Sequence, residues 1–281
     1  MEGIQKPWWR NIYLLGFDAP LIGIVWLFLL AKTWRVNYHP WEAYVVLGLL
    51  VWSARIATKL LKSAMITDPN DPLHDMRKWL TRFAIYAVIL SLLLIIIFFP
   101  MAIYTRLLIL GVFITAYFAL ANFATETEGQ ISYPKHILAG LAFAFGISMM
   151  AHIYLPSMGL LELFRSREFI CFGLLCTIAS AAVEHWMRSK QNQKSRFPDE
   201  WQISLPLTLL GAAALVFAVQ ADSQAESQTT RPYFYCVLTA AALLQVLNRT
   251  FHRFECNDIK LLTSACFLVP GLIFQAYRMS L

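Results

Sequence analysis

A polar stretch at residues 58–79, TKLLKSAMITDPNDPLHDMRKW, carries three aspartates between two long apolar runs. Asp71 and Asp75 are four residues apart, a spacing that places two carboxylates on one face of a helix. Carboxylate oxygens are ligands that Mg²⁺ prefers in proteins. Pro69 and Pro72 disfavour a regular helix here, and a solvated turn is the alternative. The stretch is therefore either a metal and diphosphate site or a polar connection between two transmembrane helices.

A second polar stretch, SAAVEHWMRSKQNQKSRFPDEW, occupies residues 180–201. Glu184 lies near the end of a long apolar run, where a charged side chain is costly and therefore a candidate functional residue. Arg188 follows four residues later, and an (i, i+4) ion pair between the two side chains is the structural alternative. Both interpretations stay open at the level of sequence.

Four basic residues near these stretches are candidate contacts for a diphosphate or a lipid phosphate: Arg55, Lys59, Lys62 and Arg188. Guanidinium and ammonium groups form charge-assisted hydrogen bonds to phosphate oxygens. The alternative for Arg55 is that its long side chain extends to the membrane surface. The alternative for the other three is the general enrichment of cations on the cytoplasmic side of membrane proteins.

The composition indicates a membrane protein. Hydrophobic residues make up 58% of the chain and charged residues 14%, and the mean hydropathy is +0.56. These values lie outside the range of soluble globular proteins. The formal net charge of +6 fits basic loops beside anionic lipid headgroups, so membrane lipids are predicted partners and nucleic acid is not.

Nine apolar runs are each long enough to cross about 30 Å of hydrocarbon as a helix. They cover residues 11–31, 42–61, 80–100, 103–122, 137–155, 168–187, 203–220, 232–248 and 261–277. The connections between them are short and leave no room for a soluble domain. We therefore predict an all-α bundle of nine transmembrane helices, with residues 1–281 forming a single integral membrane domain.

The distribution of Lys and Arg predicts the orientation of the chain. Alternate connections, counted from residue 1, carry fifteen of these residues, whereas the other connections carry seven. Because cations are enriched on the cytoplasmic side, the N-terminus is predicted in the cytoplasm and the C-terminus outside. The expected location is a bacterial inner membrane.

The number of spans, the cytoplasmic N-terminus and the two polar connections after spans two and six together resemble the UbiA superfamily of intramembrane prenyltransferases. The segments DAPLIGIVW in the first span and PKHILAGLAFAFGISM opening the fifth are similar to segments of such proteins. The resemblance covers the whole chain and extends to divergent bacterial members. It implies a UbiA-like fold and a prenyl group transferred from an isoprenoid diphosphate to a lipophilic acceptor.

The resemblance also implies a site in which acidic residues bind Mg²⁺ and the metal holds the diphosphate. Here the first acidic motif is replaced by TKLLK at residues 58–62, unless Asp71 and Asp75 take its place. Of the second motif only Glu184 is acidic, with Ser180 and Arg188 at the flanking positions. The implied metal ligands are thus Asp71, Asp75 and Glu184.

Three functional hypotheses follow from these features. The first is a prenyltransferase acting on an isoprenoid diphosphate with Mg²⁺ as cofactor. The second is a non-catalytic membrane subunit or lipid-binding protein that keeps the fold without the metal site, and the loss of acidic residues favours it. The third is a small transporter, although no internal repeat supports it.

Overall fold

The computed structural model describes residues 15–36, 39–65, 77–123, 133–155, 158–191, 200–222 and 227–279. Helices account for most of these residues, and none of the described residues lies in a strand. The all-α prediction is confirmed for this part of the chain. The α-helices are α1 (Asp18–Thr33), α2 (Trp41–Met65), α3 (Arg77–Phe98), α4 (Ala102–Phe123), α5 (Tyr133–His152), α6 (Leu160–Arg165), α7 (Arg167–Gln191), α8 (Glu200–Asp222), α9 (Ser227–Thr250) and α10 (Cys256–Met279).

Eight of the described helices are long and apolar enough to cross a membrane, namely α2 to α5 and α7 to α10. This finding identifies the chain as an integral membrane protein. The first predicted span, 11–31, overlaps α1, whose described length is 16 residues. A count of nine transmembrane helices therefore stays a prediction.

The backbone contacts of the chain group into two compact units. Unit 1 consists of Met1–Val25 and Pro40–Pro100, and unit 2 consists of Trp26–His39 and Met101–Leu281. The assignment of residues 1–281 to a single domain stays a prediction.

Unit 1 is built around the packing of α2 against α3. The buried residues of α3 recur every three or four positions, which places them on one face of the helix: Leu80, Ala84, Ala87, Ser91 and Ile95. Leu80 and Ala84 pack with Ile56 of α2, and the Ser53 hydroxyl lies 3.5 Å from the carbonyl of Ala84. After the basic residues of its first two turns, the remaining surface of α3 is mostly exposed and apolar, as expected for a helix in contact with lipid.

The core of unit 2 surrounds Trp26, which is fully buried. Its ring stacks on Phe172 of α7 at a centroid distance of 4.5 Å and meets the edge of Tyr233 of α9. Its indole N–H donates a hydrogen bond of 3.1 Å to the carbonyl of Phe267 in α10. A single side chain thus contacts three helices while its polar atom is satisfied.

Helices α5 and α7 of unit 2 approach each other very closely at Gly140. A Cβ atom at this position would lie 2.3 Å from the Thr177 hydroxyl oxygen and 2.6 Å from the Thr177 backbone nitrogen. No side chain larger than hydrogen fits there without displacing backbone, so glycine sets the distance between the two helices. This contact lies one turn after His136 on α5 and less than one turn before Ser180 on α7.

Candidate functional site

The predicted site residues of unit 2 lie in a polar cluster where α5 begins and α7 ends. We call this group, formed by Lys135, His136, Glu184 and Arg188, the Glu184 cluster. Arg188 Nη2 lies 2.5 Å from Glu184 Oε1, while Lys135 Nζ and His136 Nε2 lie 3.3 Å and 3.2 Å from Glu184 Oε2. Both carboxylate oxygens therefore contact basic groups, and two permanent cations face one anion.

The helical period explains how α7 contributes to the cluster. Ser180, Glu184 and Arg188 follow one another at intervals of four, so they lie on one face of the helix. That face meets the first turn of α5, where His136 Nδ1 lies 2.9 Å from the Ser180 hydroxyl oxygen. His136 is 3% exposed, whereas Glu184 is 22% exposed and therefore only partly buried.

Sequence reasoning identified Glu184 and Arg188 but did not select Lys135 or His136. The pairing of Glu184 with Arg188 is the (i, i+4) alternative considered for these residues. The other two partners come from a helix 49 and 48 positions away in the chain. The available signal was the adjacent pair Lys135 and His136 at the start of an otherwise apolar run, an unusual place for two basic groups.

The described part of this site does not fit a magnesium ion. Mg²⁺ requires about six oxygen ligands in octahedral geometry, whereas Glu184 offers two oxygens that already contact three basic side chains. No group of three His, Cys, Asp or Glu side chains suited to a metal occurs among the described residues. Asp71 and Asp75, the other two predicted ligands, lie outside the described residues, so the prediction that they bind metal stays untested.

The chemistry that the cluster does support is the binding of an anion. Lys and Arg side chains held beside each other attract phosphate or carboxylate groups, and a partly buried setting strengthens that attraction. In this structure both of them contact the carboxylate of Glu184.

The predicted contacts of unit 1 are arranged differently. Arg55 Nη2 forms a 3.0 Å ion pair with Oδ2 of Asp18, the first residue of α1, which is 7% exposed. Lys59 lies one turn further along α2, with its Nζ 3.7 Å from where a Cβ of Gly16 would be placed. Lys62 lies in the last part of α2. Arg55 was predicted either to contact a phosphate or to extend to the membrane surface. In the structure its guanidinium pairs with the carboxylate of Asp18.

The backbone before Asp18 is fixed against α2 by further contacts. The Trp52 indole N–H donates a 2.9 Å hydrogen bond to the Leu15 carbonyl, and the Trp52 ring stacks on Phe17 at 6.1 Å. Gly16, between Leu15 and Phe17, has a backbone φ of +75°. Glycine adopts this conformation readily because it has no Cβ atom. These contacts hold Asp18 within reach of Arg55.

Another polar cluster in unit 2 lies where α5 ends, far along that helix from the Glu184 cluster. The Arg106 guanidinium is 3.2 Å (Nε) and 3.1 Å (Nη2) from Nδ1 of the fully buried His152. His152 Nε2 lies 3.3 Å from the carbonyl oxygen of Gly159. Since Arg106 can only donate and a carbonyl can only accept, this arrangement requires neutral His152 with its proton on Nε2. The cluster ties α4 to α5 and accounts for an arginine on an apolar helix.

Among known proteins no family model, no curated sequence and no solved structure matches this chain, and its resemblance to the UbiA superfamily therefore stays a prediction.

Proposed function

We propose that this chain is a UbiA-like intramembrane protein that binds an isoprenoid diphosphate through the Glu184 cluster. Transfer of the prenyl group to a lipophilic acceptor is the activity that the resemblance implies. The proposal includes a bacterial inner membrane and a cluster facing the cytoplasm, because the basic connections predict that side as cytoplasmic.

One observation carries this proposal: a partly buried group of basic side chains stands at the end of apolar helices. Lys135 and Arg188 supply two positive charges for a diphosphate. The helices that carry them, α5 and α7, are apolar over lengths that cross a bilayer. A molecule with an anionic head and a long hydrocarbon tail matches both properties, because its tail is stabilised in an apolar setting and its head is not.

Binding of farnesyl diphosphate to the purified protein in detergent tests the proposal. We expect saturable binding by the wild-type protein and an affinity about tenfold lower in Arg188→Gln, since a charge-assisted contact to phosphate is lost. Arg167→Gln is the matched control, because Arg167 lies at the opposite end of the same helix and contacts Gln220. Farnesol, which lacks the diphosphate, should not distinguish the two variants.

Two results would contradict the proposed function. Absence of saturable farnesyl diphosphate binding by folded wild-type protein would remove its basis. An equal loss of affinity in Arg188→Gln and Arg167→Gln would show that binding does not depend on the Glu184 cluster.

A non-catalytic membrane subunit or lipid-binding protein is the second candidate. The three basic partners of Glu184 favour it, since they leave this carboxylate poorly suited to the metal chemistry that the resemblance implies for catalysis. Incubation with labelled farnesyl diphosphate, Mg²⁺ and a membrane lipid extract separates the candidates. Label transferred to a lipid product indicates an enzyme, whereas binding without transfer indicates the second candidate.

A further inference from the structure

The Glu184 carboxylate contacts three basic side chains, and these partners are the groups that a bound anion would use. Arg188 contacts one of its oxygens, and Lys135 and His136 contact the other. A phosphate group entering the cluster would meet the same three side chains. The carboxylate and the ligand therefore compete for one set of contacts.

The positions of these basic groups are fixed by helix packing as well as by the carboxylate. Gly140 brings the α5 backbone against Thr177 of α7, so the first turn of α5 remains close to Ser180. His136 is 3% exposed and lies between the two helices. Removal of the Glu184 charge would leave Lys135 and Arg188 near each other without the carboxylate that both of them contact.

This inference rests on the proposed function: we propose that Glu184 is an internal counter-anion. Its carboxylate contacts the basic groups of the diphosphate site until the ligand replaces it, and ligand binding needs no divalent cation. In this arrangement Lys135 and Arg188 offset negative charge of the diphosphate directly. Glu184 weakens binding instead of contributing a metal ligand. Its role in the free protein is to satisfy two cations that would otherwise repel each other in a partly buried site.

The charge of the cluster opposes the binding of a metal at Glu184. A divalent cation would have to displace Lys135, His136 and Arg188 from the carboxylate or stand beside them, and like charges at such distances repel strongly. A diphosphate is attracted to the cluster, because it carries negative charge and the basic side chains are already in place. If Glu184 is a metal ligand, removal of its charge should weaken diphosphate binding. If Glu184 is a competing anion, removal of its charge should strengthen diphosphate binding.

Farnesyl diphosphate titrations of wild-type, Glu184→Gln and Glu162→Gln proteins test this inference, each with EDTA and with Mg²⁺. We expect wild-type binding in EDTA and an affinity about tenfold higher in Glu184→Gln, the scale expected when a like charge beside a bound anion is removed. Glu162→Gln removes the same charge at the other end of unit 2, where Glu162 accepts a hydrogen bond from the Gly159 amide. It should bind as the wild type does.

The outcomes separate this inference from the proposed function. Binding that requires Mg²⁺, or that is weakened in Glu184→Gln, would overturn the counter-anion role and leave the proposed function standing. Absence of binding in every protein, with or without Mg²⁺, would overturn both. The wild-type comparison between EDTA and Mg²⁺ needs no variant, so the inference remains testable if Glu184→Gln does not fold.

Discussion

Several charged side chains on the described apolar helices lie beside polar or oppositely charged partners from distant parts of the chain. Asp18 pairs with Arg55 across 37 positions, and Glu184 pairs with Lys135 across 49. An ionised group is expensive to remove from water, and a neighbour of opposite charge offsets much of that cost. These pairs therefore combine two roles, since they connect helices and they make charged residues tolerable at those positions.

At the residue scale, Asp18→Asn tests the first of these pairs. The substitution keeps the size of the side chain but removes the charge that faces Arg55 at 3.0 Å. We expect the free energy of unfolding to fall by about 1–3 kcal/mol, because a partly buried hydrogen bond to a charged group is weakened. Unfolding in detergent micelles by increasing sodium dodecyl sulfate, followed by circular dichroism, measures the change.

Arg55→Gln and the double variant Asp18→Asn/Arg55→Gln complete a double-mutant cycle for this pair. If the ion pair accounts for the effect, the double variant should lose less stability than the two single variants added together. Strict additivity would show that the two charges do not stabilise each other.

At the residue scale, some side-chain contacts could be predicted from the sequence and others could not. The pair of Glu184 with Arg188 could be predicted because helical geometry alone brings (i, i+4) side chains together. The contacts of Glu184 with Lys135 and His136, and of Asp18 with Arg55, depend on which helices are neighbours and on their register. One sequence contains no direct information on either, so the sequence predicts for Arg55 a phosphate contact or extension to the membrane surface, and no site for Lys135.

At the element scale, the hydrophobic runs predicted the positions of the long helices well, but they predicted the first and last residues of those helices less well. The run at 168–187 corresponds to α7, which extends to Gln191, and the run at 137–155 corresponds to α5, which begins at Tyr133. In both helices the additional turns are polar, so they carry no hydrophobic signal although they continue the helix. These are also the turns that contain Lys135, His136 and Arg188. The short α6 was not predicted, because six residues give too little periodicity.

Gly140→Ala tests whether the close approach of α5 and α7 supports the fold. The new methyl group would lie within 2.7 Å of the Thr177 Cα and nearer still to its nitrogen, so backbone must move. We expect a loss of about 1–3 kcal/mol in the free energy of unfolding. Gly111→Ala on α4 is the matched control, because no atom lies within 4 Å of its Cβ position.

The control should change stability by less than about 1 kcal/mol, in the stabilising direction, since alanine favours a helix more than glycine does. Measurement uses the same unfolding assay. Equal stabilities for the two variants would mean that α5 and α7 can separate at Gly140 with little loss of packing.

At the scale of the whole molecule, the exposed apolar surface indicates contact with lipid. Only 6% of the membrane-spanning window of α4 is buried, and that of α3 is 22% buried. Such surfaces would be unfavourable in water, whereas the hydrocarbon of a bilayer accommodates them. Charged groups along these helices are correspondingly few and lie mainly near the helix ends, where water and lipid headgroups are within reach.

The predicted orientation can be tested with an alkaline phosphatase reporter, which is active only outside the cytoplasm. Fusions after residue 155, following α5, should be active, and fusions after residue 191, following α7, should be inactive, because basic residues flank the predicted cytoplasmic ends. Tags on the first and last residues of the chain then decide the number of spans. Nine spans place the two tags on opposite sides of the membrane, as measured by a membrane-impermeant label on intact and lysed cells.

Tags on the same side would show an even number of spans, the result expected if α1 does not cross and the eight long helices do. That result would also remove one of the features on which the resemblance to UbiA proteins depends, since nine spans are implied there. Inverted reporter activities would place the Glu184 cluster on the outer surface. A ligand supplied from the cytoplasm could not reach it there, so the proposed cytoplasmic entry of an isoprenoid diphosphate depends on this orientation.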